Sequence, residues 1–158
     1  MEVERQLSIF LDNRPGVLAA VCRDLAEHRI NIEAVTVANL VDHAVVRMVV
    51  SDTDAAVHLL EERGVLVIVS DVLAIELPDR PGAIGALAER LGRADINIDY
   101  MYGSSRGRGS RAGRPTVFLR VADVPRARRA LARWAPASPR RGQAARLRVA
   151  SRPKPSTR

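Results

Sequence analysis

The chain has 158 residues, enough for one ordinary domain or two small ones, and its single cysteine, Cys22, excludes an internal disulfide. The net charge of +7 averages two unlike parts: residues 1–102 carry 9 Arg against 17 Asp and Glu, whereas residues 103–158 carry 16 basic side chains against one acidic. No stretch reaches the ~20 apolar residues of a membrane span, and the charged Met1–Gln6 segment does not read as a signal peptide, so a cytoplasmic protein with no membrane partner is expected.

Gln6 to Leu11 alternates polar and apolar residues, which places Leu7, Ile9 and Leu11 on one face of a strand. Asp12-Asn13-Arg14-Pro15-Gly16 then turns into a predicted helix, with Asp12 or Asn13 as its cap, Pro15 in its first turn, and Leu18, Val21, Cys22 and Leu25 on its inner face. Ile30 to Ala38 reads as a second strand, Asn39 to His43 as a short hairpin connection, and the β-branched run Ala44 to Val50 as a third strand. Asp52 or Thr53 starts a second helix with Ala56, Leu59 and Leu60 inward, Gly64 ends it, and Val65 to Val69 closes the unit as a fourth strand.

The same pattern returns 66 residues later. Residues 6–34 and 72–100 agree without a gap at Leu7/Leu73, Ile9/Ile75, Leu11/Leu77, the triplets Arg14-Pro15-Gly16 and Arg80-Pro81-Gly82, Leu25/Leu91, and the triplets Ile30-Asn31-Ile32 and Ile96-Asn97-Ile98. The second helix face becomes Ile84, Leu87, Ala88 and Leu91, and Ile96 to Tyr102 the second strand. The connection Gly103 to Pro115 is wider than its counterpart and holds four Gly, four Arg and three Ser, too polar to pack. Thr116 to Val121 resumes the third strand, and Asp123, Ala127, Ala130 and Leu131 repeat the second helix. The fourth strand of this copy is not where the repeat places it, because residues 136–141 contain two prolines and no apolar run; residues 146–150 are the substitute expected.

The expected fold is therefore α+β: two ferredoxin-like βαββαβ units, antiparallel sheets with helices on one face. The units span residues 5–70 and 71–134, joined at Ser70-Asp71, and residues 135–158 form a basic tail expected to be disordered.

A strand ending in Asn/Asp-Arg-Pro-Gly that leads directly into a helix, followed at a fixed distance by Asn-Ile, resembles the ACT domain over roughly residues 5–134, here doubled in tandem. The resemblance implies a regulatory protein that binds a small metabolite, usually an amino acid, and relays binding to a metabolic enzyme or regulator, with a homodimer as the assembly. Family ligands lie where two units abut. Carried over, the ligand-binding residues are Asn13, Arg14, Gly16, Val17 and Leu18, their counterparts Asp79, Arg80, Gly82, Ala83 and Ile84, and Asn31 and Asn97. The chain departs from some amino-acid-binding members in having Leu11 where a polar histidine can occur.

Residue chemistry agrees with that implication. A helix N-terminus presents unpaired N–H groups and partial positive charge to a carboxylate, and a glycine there admits a ligand close to the backbone. Asn13 can both donate and accept, whereas ionised Asp79 only accepts, so the two sites should differ in ligand or occupancy. Asn31 and Asn97 fit two roles equally, ligand contact or backbone bonding in the helix-to-strand connection. Tyr100 and Tyr102 fit strand packing or a pocket lining. His28, His43 and His58 lie apart in sequence with no ligand spacing, Cys22 reads as a core residue, and no catalytic set is legible, so no metal, no cofactor and no enzyme activity is expected. The alternative is a nonspecific nucleic-acid-binding protein using the Arg-rich loop and tail. Base stacking on the sheet would need aromatics that the third strands lack apart from Phe118, which makes nucleic acid the less favoured partner.

Overall fold

The structure is a computed structural model that describes residues 1–40, 43–104, 115–132 and 134. Ten elements follow in order: β1 (Glu2–Asp12), α1 (Val17–Glu27), β2 (Ile32–Leu40), β3 (His43–Val50), α2 (Thr53–Glu62), β4 (Leu66–Glu76), α3 (Ala83–Arg93), β5 (Tyr100–Ser104), β6 (Thr116–Arg120) and α4 (Val124–Leu131). The strands form one antiparallel sheet in the order β2-β3-β1-β4-β6-β5.

Two long central strands make one sheet out of two units. The alternation that begins at Gln6 extends back to Glu2, and β1 pairs with β4 over Glu2↔Ala74 through Phe10↔Leu66. Arg5 therefore sits opposite Asp71, its own counterpart in the repeat, and a local twofold axis passes between them. The connection expected at Ser70-Asp71 is instead the middle of a strand, because both residues stay hydrogen-bonded to β1 and breaking the ladder there would leave backbone groups unpaired. The second half of β1 is the first strand of unit one, while its first half, Glu2 to Gln6, lies along the edge of β4 that a fourth strand of unit two would occupy. The strand expected at 146–150 lies outside the described residues, as do most of the wide connection and all of the expected tail.

Pairing of odd with odd positions between β1 and β4 puts Leu7, Ile9 and Leu11 on the same face as Leu73, Ile75 and Leu77. All four helices pack on that face over two cores. One gathers Leu7, Ile9, Leu25, Met48 and Leu60, the other Leu73, Ile75, Leu87, Leu91 and Leu119. Each fully buried aliphatic side chain contributes about 1.5–3 kcal/mol from removal from water.

The opposite face is covered in part, with Leu66 and Ile68 still 62% and 49% exposed on it. The sheet rolls on itself until edge strands β2 and β5 come within 8 Å between Cα atoms. A third cluster fills the roll, Ala34, Val49, Val72 and Phe118 with Ala74 and Tyr102 packed against it, and Tyr102 stacks on Phe118 with ring centroids 5.3 Å apart. Gln6 is fully buried inside it: its amide nitrogen donates to Tyr100 Oη at 2.7 Å and to Ser8 Oγ at 3.2 Å, and Tyr102 Oη donates to its carbonyl at 3.0 Å. The Arg47 guanidinium lies 4.3 Å over the Tyr100 ring. Burial pushes the Tyr102 phenol well above its ordinary pKa, reinforced by the neighbouring Tyr100 and opposed by Arg47.

The helix starts differ from expectation. Gly16 and Gly82, not Asp12 or Asn13, are the N-caps, so α1 and α3 begin at Val17 and Ala83. Rotation follows from that start: Val17 and Ala83 turn inward, Leu18 and Ile84 are left 37% and 53% exposed, and Cys22 is only half-buried. In contrast, the caps of α2 and α4 stand where the spacing predicts, with Asp52 accepting from the Ala55 amide at 3.0 Å and Asp123 from the Arg126 amide at 2.8 Å. The strand expected from Ile96 pairs only from Tyr100 onward.

Candidate ligand site at the Pro-Gly turns

Each unit presents the same small structure at the end of its first strand. In unit one the Arg14 amide donates to Asp12 O at 2.9 Å and the Val17 amide to Arg14 O at 3.4 Å; in unit two Arg80 donates to Pro78 O at 2.9 Å and Ala83 to Arg80 O at 3.3 Å. The chain then enters the helix through a left-handed glycine, φ 89° at Gly16 and 87° at Gly82. Proline confines φ just before the reversal, and glycine adopts the left-handed angle without the clash a Cβ brings. A Cβ on Gly16 would itself meet open space, so the backbone angle rather than crowding selects glycine.

The consequence is an uncapped helix start in both copies. The N-cap glycines offer no side-chain hydrogen bond, and the first helical amides, those of Val17 and Ala83, already donate to Arg14 O and Arg80 O. Four N–H groups at a helix start lack intrahelical partners and carry the positive end of the macrodipole, a site that favours a carboxylate. Beside these amides lie Pro15, Gly16 and Leu18 in one copy and Pro81, Gly82 and Ile84 in the other, all exposed. An anion-accepting end therefore adjoins an uncovered aliphatic patch twice in the chain.

The flanking residues differ. Asn13 donates through its amide nitrogen to Asn39 Oδ1 at 2.9 Å, tying the first turn to the end of β2, and Arg14 pairs with Asp12 on the surface. Asn39, one of the hairpin residues, was not among the expected site residues; its position opposite Ala44 on β3, two rungs from the turn, is a property of the sheet register. Asp79 is exposed and Arg80 half-buried.

Asn31 and Asn97 do not join their own units' turns. Asn31 sits just before β2, where its amide donates to Ser51 Oγ and its carbonyl accepts from the Ser51 amide, each at 2.9 Å. Most of β2 separates it from Asn39, eight positions on, roughly 26 Å at ~3.3 Å per residue. The register instead puts Asn31 toward the end of the sheet from which the second unit's turn departs, since Ile32 pairs with Val50 and the ladder runs on toward Glu2 and Ala74. A recess of about 80 Å³ at that end is lined by Glu33 of unit one and Ala74, Glu76 and Phe118 of unit two among others, but not by Asn31 or a residue of the turn. That is small beside the ~300–1,000 Å³ of a ligand pocket.

Gln6, Arg47 and the tyrosine hydroxyls were invisible as a set, because an alternating strand predicts Gln6 to face water. Among the described residues no group of three or more His, Cys, Asp and Glu could hold a metal ion, and no helix is long and apolar enough to cross a membrane.

A family model for an ACT domain pair matches residues 1–130. A protein of known crystal structure from Bacteroides thetaiotaomicron is 32% identical, with a TM-score of 0.74 over 82% of this chain and 87% of that one. The regulatory subunits of aspartate kinase from Thermus thermophilus, in its ligand-free form, and Thermus flavus share the fold at 16% and 15% identity, with TM-scores of 0.60 and 0.58 over 83% of this chain and 93% and 94% of theirs. No curated protein sequence matches.

Proposed function

The chain belongs to the ACT domain family as a pair of ACT domains, and from that membership we propose that it is a regulatory protein that binds an amino acid at its Pro-Gly turns and passes the binding state to a partner enzyme or regulator. One observation supports the reading most: the uncapped helix start beside an exposed aliphatic occurs twice, at Gly16 with Leu18 and at Gly82 with Ile84. In this reading the α-carboxylate accepts from the amides that follow Val17 in α1 or Ala83 in α3, the α-ammonium meets Asn13 or Asp79, and Arg14, Arg80, Val17 and Ala83 shape the turns. Asn31 and Asn97 act from the neighbouring unit.

In this reading the working form is a homodimer, with both turns open to solvent in each chain. Ligand bridging then favours one arrangement of units by the difference in its affinity for the two, which a partner such as an aspartate kinase-like enzyme reads. The role is regulatory rather than catalytic. The nucleic-acid alternative draws no support from the sheet, since Phe118 is buried against Tyr102 inside the roll.

A thermal-shift screen of the twenty amino acids with calorimetric titration of any hit tests this. A ligand at a hundred times its dissociation constant stabilises by about 2.7 kcal/mol. Saturable stabilisation lost in Gly16→Val with Gly82→Val is the expected result; amino-acid affinity unchanged in that double variant would rule out the site.

A further inference from the structure

The two units carry opposite charge. Residues 1–70 hold 6 Arg against 11 Asp and Glu, and residues 71–134 hold 12 Arg against 7. The contrast is concentrated on equivalent helices. Ala56 and Leu60 of α2 and Ala127 and Leu131 of α4 are buried in matching places, so their outward sides can be compared. α2 presents Asp54, Glu61 and Glu62, with Asp54 paired to Arg5 at 2.7 Å and His58 3.2 Å from Glu62; α4 presents Arg128 and Arg129 together with Arg126, which donates to Ala94 O at 2.8 Å.

These are the inner helices of the layer. α2 packs on β1, β3 and β4 with α1 beside it, and α4 packs on β4 with α3 beside it. Between them the helix-side surface of β1 and β4 exposes Val3 and Val69, 39% and 38% accessible and one repeat apart, flanking Arg5 and Asp71. The Arg5–Asp71 pair with a valine on either side of it thus lies between an acidic and a basic ridge on one face.

We propose that this face is a self-association surface on which two copies pack with α2 of each against α4 of the other. A twofold contact must be complementary to itself. An axis parallel to the central strands lays each acidic ridge on the partner's basic ridge, twice, and brings the two valine strips together. An axis across the strands lays α2 on α2 and α4 on α4, like charge on like, which is disfavoured. Charge thus selects one orientation, and burial of Val3 and Val69 supplies the non-directional attraction. This deepens the homodimer proposed above by assigning its surface, away from the Pro-Gly turns.

Sedimentation equilibrium of the full chain tests it. The native protein should dimerise at low salt and weaken by about tenfold or more near 0.5 M, as screening predicts for exposed charges. Arg128→Glu with Arg129→Glu, and separately Glu61→Arg with Glu62→Arg, should each be monomeric under conditions where the native chain is dimeric. An equimolar mixture of the two should regain the dimer mass, because both contacts of the mixed pair are again acid on base, a rescue that misfolded variants could not give. A native dimer indifferent to both reversals would overturn this surface while leaving the amino-acid-binding dimer standing. A monomeric native chain would overturn both the surface and the dimer, with amino-acid titration still judging the ligand site. Loss of heparin binding by the arginine reversals without loss of dimer would assign α4 to a polyanion instead.

Discussion

Unit one contains every strand and helix of its fold, whereas unit two is widened between β5 and β6 and has part of β1 along its outer edge of β4. The two nevertheless keep the same core positions and the same glycine-led helix starts. What repeats is what the backbone requires: Leu7 and Leu73 under the helices, proline before each reversal, glycine where φ is near 90°. What has diverged is decoration, Asn13 against Asp79, Arg47 against Phe118 inside the roll, and acidic α2 against basic α4. The lesson is that a repeat preserves a scaffold more strictly than it preserves the chemistry mounted on it. Sharing β1 and β4 also ties the stability of one unit to that of the other.

That tie can be broken most forcefully in the cores. Leu7→Ala and Leu73→Ala, at two fully buried equivalent positions, should each cost about 2–5 kcal/mol in chemical denaturation. Because β1 and β4 are paired along their length, either variant should unfold in one transition reported equally by probes in both units. Separate transitions would mean that the units are independent despite the common sheet.

A smaller effect sharpens the join inside the roll. Gln6→Leu removes a fully buried side chain that bonds Tyr100 and Tyr102, leaving their hydroxyls without that partner at a cost of about 1–3 kcal/mol. Alkaline titration adds a sign. Since burial raises the Tyr102 pKa, the neutral phenol is the form the fold prefers; its contribution is complete below the unfolded value of about 10 and is lost as pH rises above it. Native stability should fall steeply above pH ~10, and Tyr102→Phe should be less stable at neutral pH yet flatter across that range. Identical alkaline slopes in both proteins would remove Tyr102 as the cause.

The gentlest comparison is between the two aspartate caps. Asp52→Ala and Asp123→Ala each remove one hydrogen bond to a helix amide, worth about 0.5–2 kcal/mol, and equal losses are expected if the second unit is as well held as the first. A much smaller loss for Asp123 in thermal melts would show α4 to be the more weakly anchored helix.

Much of the architecture was legible because local chemistry repeats its own spacing. Alternation marked Leu7, Ile9 and Leu11, helical spacing marked Ala56, Leu59 and Leu60, and the aspartates before α2 and α4 marked their starts, all through contacts within a few residues. The Pro-Gly turns were legible for the same reason, and the family follows from them. The first turn of α1 was misread because glycine can cap a helix without a side chain, which shifts the start by residues that look equally helical. Leu18 and Ile84 then fall outside the core.

By itself, then, the sequence determined two copies of one βαββαβ pattern, their apolar faces and the two glycine-led turns, since each depends on neighbours along the chain. Only the tertiary structure decided that β1 and β4 run through the joint as single strands, that Gln6 is buried with Tyr100 and Tyr102, and that Asn31 stands toward the other unit's turn. Those outcomes depend on strand register and on the roll of a six-stranded sheet, which join residues up to 96 positions apart. No local period encodes such distances.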